Sequence, residues 1–189
     1  LKLNLGCGYR KVSGYVNVDN DPLCEPDIVA DLETKLPWDD NSIDEIFLDH
    51  VLEHIGQDTR TYFNIWQEFY RILRDEAVIM ISVPHYNHDH FHHDPTHVRV
   101  VTPIGIDMFN QRNNYETIKA GGSQSALGLK LGIDIAVTEV SYDLEPWYKQ
   151  HMKNTKQTTF DLDEMSRYNN ACYQIRIKAK AYKPARSQR

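Results

Sequence analysis

No stretch of this sequence approaches the roughly twenty consecutive apolar residues that a membrane span needs. The N-terminus also lacks the charged-then-apolar layout of a secretory signal, and a start at Leu1 rather than Met points to trimming. Cysteine is scarce: Cys7, Cys24 and Cys172 are odd in number and show no CxxC spacing, so they read as reduced thiols in a cytoplasmic protein. Positive charge is in the minority, with 21 Lys and Arg against 27 Asp and Glu and a formal net charge of −6. That balance argues against a broad nucleic-acid footprint, which needs a basic face. Internal repeats are lacking too. What remains is a chain of 189 residues, 41% hydrophobic and 25% charged, the profile of one ordinary globular domain.

The informative stretch comes first. Leu3-Asn4-Leu5 alternates as a short strand and runs into Gly6-Cys7-Gly8. Neither glycine carries a Cβ that would hold the backbone away from a ligand. A second strand, Tyr15-Val16-Asn17-Val18, ends in Asp19, whose carboxylate can accept hydrogen bonds from both hydroxyls of a ribose. The ligand is therefore a nucleoside, either a dinucleotide or S-adenosylmethionine. A dinucleotide fingerprint would need a third glycine where Lys11 stands, and an acid about twenty residues beyond the turn. Residues 9–14 are also too short for the helix that would receive a pyrophosphate. Cys7 reads as a small turn residue rather than as a nucleophile.

These residues resemble the class I S-adenosylmethionine-dependent methyltransferases, in particular their small-molecule branch. Leu3-Asn4-Leu5-Gly6-Cys7-Gly8 is similar to that family's first motif, Asn17-Val18-Asp19 to its ribose-binding acid and Asp27-Ile28-Val29-Ala30-Asp31-Leu32 to its adenine segment. Residues 36–44 and Asp49-His50-Val51-Leu52-Glu53-His54-Ile55 continue the likeness in order. The resemblance implies an α/β fold: a Rossmann-like, mostly parallel seven-stranded sheet with an antiparallel last strand. It implies S-adenosylmethionine as cofactor, held by Gly6, Cys7, Gly8, Asp19, Asp31, Leu32, Asp49 and His50. Asp31 could equally cap a turn. In two places the sequence departs from the family pattern. Asn4 replaces the usual acid, and Arg10 replaces a third glycine; that arginine either faces the methionine carboxylate or is solvated.

Only ten residues separate Gly8 from Asp19 and eleven separate Asp19 from Asp31, whereas a parallel crossover ordinarily takes a dozen or more with its helix. These early crossovers are shortened, and the helices on one face are expected to be single turns or missing. Residues 58–75 carry the clearest helical pattern, with Asp58 as cap and Tyr62, Ile65, Trp66, Phe69, Ile72 and Leu73 on one face. Residues 77–83 form an apolar run typical of a central parallel strand, stopped by Pro84.

After that strand, residues 85–97 hold His85, His88, His90, His92, His93 and His97, six of nine histidines in the chain. Such a loop can bind a metal, move a proton or simply be polar. The HxH spacing of His88 and His90 is common by chance in so His-rich a run, and no metal site is expected. Proton transfer is better motivated, because an oxygen or nitrogen nucleophile must lose a proton as it attacks a methyl group. The Asp94-Pro95-Thr96-His97 run resembles a recurring segment of small methyltransferases. His97 and then His50 are the catalytic candidates, although His97 could instead brace the loop and His54 pack or cap.

Thr102-Pro103 is expected to cap and open a short helix, residues 110–130 to form a mobile loop or lid around Gly121-Gly122, and residues 133–140 and 171–180 to pair as strands. The expected organisation is a single methyltransferase domain over 1–182, with an inserted His-rich loop at 84–102 and a polar segment at 143–170. A basic, disordered tail would follow at 183–189. The expected activity is methyl transfer to oxygen or nitrogen of a small polar metabolite, with a sugar preferred. A small molecule is the expected partner; neither a nucleic acid nor a membrane is, and a homo-oligomer is compatible. The alternatives are a non-catalytic S-adenosylmethionine-binding partner and a metal-dependent enzyme built on the His-rich loop.

Overall fold

Alternating apolar residues fix which face of each strand is buried. In the computed structural model, which describes residues 1–157 and 159–186, strands β1 (Lys2–Leu5), β2 (Val16–Asp19), β3 (Ile28–Val29), β4 (Ile43–Asp49) and β5 (Leu73–Pro84) run parallel. Strand β7 (Cys172–Ala181) lies antiparallel between β5 and β6 (Ile135–Leu144), and the order across the seven-stranded sheet is β3-β2-β1-β4-β5-β7-β6. This is the expected Rossmann-like α/β sheet.

One face of the sheet carries Leu3, Leu5, Val18, Ile46, Leu48, Ile79, Ile81 and Ile177, all essentially without solvent exposure. Against it packs α1 (Thr59–Ile72), whose three-and-four spacing brings Tyr62, Ile65, Trp66 and Phe69 inward while Asp58 caps its first turn. Cutting Trp66 or Phe69 to alanine would cost roughly 3–5 kcal/mol. The helix stops at Ile72, earlier than its pattern predicts: Leu73 already pairs with Ile43 as the first residue of β5, and Glu76 turns with φ 58° where the two strands shift register.

Among the described residues, the other face has no helix over β1 and β2. A 3-10 turn at Pro22–Cys24 is the one helical turn in the early crossovers, as their shortness implies. A partly buried polar ladder takes the place of helices. Asn4 Nδ2 donates to Asn17 Oδ1 and to the Arg10 carbonyl, both at 2.9 Å, and Asn17 Oδ1 also accepts the Val12 amide at 2.8 Å. Asn17 then donates from its backbone and side chain to Asp27 Oδ2 at 2.7 and 2.9 Å. These bonds hold the Asp27 carboxyl below its ordinary range. Asn4, where the family pattern has an acid, is thus a donor that ties residues 8–15 down onto the sheet.

Past β5 come α2 (Asp89–His93) and α3 (Pro103–Asp107), the latter capped by Thr102 as expected. Residues 110–130 are not a free lid: they form α4 (Gln111–Lys119) and α5 (Leu127–Leu131). Asn110 caps α4, and the Gly128 amide packs onto the Met108 carbonyl, so backbone satisfaction outweighs the Gly121-Gly122 signal. The polar segment contributes α6 (Pro146–Asn154) and α7 (Leu162–Met165), with a small core of their own around Tyr148, Met165 and Cys172. The start of the tail is anchored rather than loose, because Arg186 grips the fully buried Asp134 at 3.0 Å; residues 187–189 lie outside the described residues.

Candidate active site

In an open α/β sheet a ligand sits beyond the carboxyl ends of the strands where the strand order reverses. Here that point lies between β1 and β4, and Gly6 turns there with φ +66°. A Cβ at Gly6 would stand 2.6 Å from Val51 Cγ2, so position 6 admits only glycine without movement. Gly8, with φ +47°, faces open space and gives its amide to Asp19 Oδ2 at 2.7 Å. The Asp21 amide donates to Asp19 Oδ1 at 2.9 Å. Both oxygens of Asp19 are thereby aimed before any ligand arrives, each keeping a lone pair for a hydroxyl.

A cavity of about 290 Å³ opens at this point, with Gly6, Asp19, Asp31, Leu32, His50 and His54 on its walls. Five of the eight residues expected to hold the cofactor line it: Gly6, Asp19, Asp31, Leu32 and His50. Asp31 is exposed and its Oδ1 accepts the Glu33 amide at 2.9 Å, so it caps a turn as well as lining the wall. Cys7 is buried; burial pushes its thiol pKa up, and its amide donates to the Val18 carbonyl. It is a turn residue. Asp49 does not line the cavity, since its carboxylate pairs with Arg10 at 2.6 Å. Arg10, at 81% side-chain exposure, is close to the solvated arginine the sequence allows.

Across His50 lies a second, larger cavity of about 680 Å³, bounded by His50, Glu53, His54, His90, His93 and His97 among others. The two cavities share His50 and His54. His50 occupies the left-handed region with φ +58°, an uncommon conformation for a residue with a Cβ. Its Nε2 meets Gln174 Oε1 at 2.7 Å, and that amide is oriented by its own bond to Asp143 at 2.8 Å. Its Nδ1 stands 3.2 Å from Glu53 Oε1, near enough for an ion pair. Glu53 first and Gln174 with it raise the His50 pKa, against the opposing effect of burial. Both ring nitrogens face acceptors, so His50 is built to carry a proton and has no free lone pair to act as base.

His97 is different. Its Nδ1 donates to the Phe91 carbonyl at 2.7 Å, which fixes the tautomer and leaves Nε2 with a lone pair. The bracing role and the proton-accepting role thus fall on opposite nitrogens of one ring. His88 and His90, the HxH pair, do not chelate: His88 Nδ1 accepts the His90 amide at 3.0 Å as the cap of α2, while Nε2 faces Glu145 at 3.3 Å. His85 is buried, and its pKa is pushed down by burial and by His88. The spacing that suggests a ligand pair is therefore the spacing of a capped turn.

Residues 12–81 match the family described as a methyltransferase domain. Among solved structures, a SAM-dependent methyltransferase from Archaeoglobus fulgidus superposes with a TM-score of 0.60 at 17% identity, covering 95% of this chain and 85% of that one. A SAM-dependent methyltransferase from Methanosarcina mazei gives 0.52 at 15% identity, over 96% and 92% of the two chains. YcgJ protein from Bacillus subtilis gives 0.54 at 14% identity, over 96% and 91%. No curated protein matches the chain significantly. The fold is thus the one seen in these SAM-dependent methyltransferases, and strands β2 to β4 lie in the segment that matches the methyltransferase domain.

The residues at this site fit S-adenosylmethionine. A Cβ-free approach at Gly6, a carboxylate preoriented by two amides at Asp19 and a wall of Asp31 and Leu32 are what an adenosine requires. Sequence reasoning missed Glu53, Gln174 and the inward placement of His54. Glu53 and His54 lie inside the motif Asp49–Ile55, where an acid with histidines at positions 50 and 54 was the available signal. Gln174 is 124 residues from His50 and gave none.

Proposed function

We propose that this methyltransferase moves a methyl group from S-adenosylmethionine to an oxygen or nitrogen of a small polar metabolite, with a sugar as the preferred class. The observation that supports this reading best is the pair of cavities meeting at His50 and His54, one shaped for a nucleoside and the other open and lined by imidazoles. When bound, the donor supplies a methyl carbon made electrophilic by a sulfonium.

The chain's own residues have to align and deprotonate an acceptor. Asp19 holds the ribose, Asp31 and Leu32 the adenine, and the Gly6 to Gly8 backbone lies against the donor. At Asp49 the contact is through the backbone, since Arg10 engages the side chain. His50, held between Glu53 and Gln174, positions the junction between the cavities. His97 Nε2 takes the proton from the acceptor. A cytoplasmic setting suits the three buried, unpaired thiols.

Incubation with methyl-labelled donor and panels of sugars, hydroxy acids and amines tests the reading. Label should pass to one class, and His97→Gln should lower turnover by about 100-fold, the usual range for loss of a general base. If the donor binds but no class accepts label, the protein is a binding partner and the proposal fails.

A further inference from the structure

We propose that Glu53, His54 and His97 bind one divalent transition-metal ion, of the zinc or iron(II) class, in the acceptor cavity. One carboxylate oxygen of Glu53 and one ring nitrogen each from His54 and His97 all lie within 4.8 Å of one another. Glu53 is 1% exposed; its Oε1 faces His50 Nδ1 at 3.2 Å, and its Oε2 has no hydrogen-bond partner among the described residues. The His50 contact at Oε1 leaves lone pairs on the carboxylate unfilled. A buried carboxylate left in this state is costly and calls for an explanation.

The hydrogen bonds around the two histidines supply one. Thr96 Oγ1 donates to Asp94 Oδ1 at 2.6 Å, so toward His54 Nδ1, 2.9 Å away, it can only accept. His54 therefore carries its proton on Nδ1, as His97 does beneath the Phe91 carbonyl. In both rings the nitrogen left with a lone pair is Nε2, and in both the opposite nitrogen is fixed by an oxygen acceptor. That is the arrangement by which outer-shell groups orient metal-ligating histidines. Two neutral imidazoles and one carboxylate, with remaining positions open to a cavity, suit zinc or iron(II). Bonds of about 2.0–2.2 Å would draw the three side chains together from this separation.

What the ion does there rests on the methyl-transfer reading. A hydroxyl oxygen of the acceptor, in a vicinal diol or hydroxy acid, would occupy an open position and become acidic enough to lose its proton to water near neutrality. The oxygen then forms its bond to the methyl carbon as the carbon–sulfur bond breaks, and that electron pair stays on sulfur. With the ion bound, the lone pair of His97 is spent on the metal, and the ion's lowering of the acceptor's pKa takes the place of proton abstraction by His97.

The test uses the full chain, stripped with a chelator and titrated with Co²⁺ by visible absorption and with Zn²⁺ by equilibrium dialysis. Donor affinity and circular dichroism are followed in parallel. One equivalent should bind. His54→Ala and His97→Ala should each weaken it by roughly 100-fold, and Thr96→Val, which only frees a ring, by roughly 10-fold. His92→Ala should leave affinity unchanged. Absence of saturable binding overturns the proposal, as does binding that survives His54→Ala and His97→Ala but is lost in His88→Ala with His90→Ala. Should an alanine variant unfold, Thr96→Val decides. Loss of metal binding with donor affinity intact removes this site alone; a bound ion without donor affinity removes the methyl-transfer reading alone.

Discussion

Gly6 and Val51 meet across the junction of β1 and β4, so close that a Cβ on the glycine would lie 2.6 Å from Val51 Cγ2. The first turn of the chain and the loop after the fourth strand thus form one wall of the nucleoside cavity. Gly6→Ala combines this clash with the strain of a side chain at φ +66°. It should destabilise the fold by roughly 2 kcal/mol in urea unfolding and weaken donor binding. A double variant with Val51→Ala should recover stability only in part, because the backbone strain stays.

His50 should titrate above its ordinary value of 6.5 in the metal-free protein. Because the folded pKa is raised, the group contributes stability that is complete below the unfolded pKa and fades as pH climbs through the folded one. Ring-proton NMR on the parent and on Gln174→Leu measures this. The variant should titrate lower, and its stability should fall less than the parent's from about pH 6 upward. A parent His50 that titrates at or below 6.5 would contradict the pairing with Glu53 and Gln174.

Arg186 is the partner of a wholly buried acid, Asp134, with two guanidinium bonds at 3.0 Å to its carboxylate. Arg186→Ala leaves that charge uncompensated, and thermal or urea unfolding should show a loss of about 3 kcal/mol. A surface tail with no structural task would show nothing of the kind.

Much of the cofactor side was legible in the sequence, because its determinants are local. Two glycines after an alternating strand, and an acid ending the next, fix the turn and the carboxylate with no help from distant residues. The short crossovers announced the missing helices for a similarly local reason, chain length. The acceptor side was not legible in the same way. His50 is set by Gln174 on β7, and His54 by Thr96 and Asp94 in the His-rich loop, pairings made only when the sheet closes. His88 and His90 drew attention by spacing, yet a helix cap accounts for them. The tail misled because a basic, polar ending looks the same whether or not a buried aspartate waits for it.

The most direct test of the account is calorimetric titration of the parent and of Asp19→Ala with S-adenosylmethionine and with NAD. The parent should bind S-adenosylmethionine and not NAD. The variant should bind it at least about tenfold more weakly, the loss expected when a charge-assisted hydrogen bond worth about 1.5–3 kcal/mol is removed. Equal affinity in parent and variant, or a preference for NAD, would contradict the assignment of the cavity between β1 and β4.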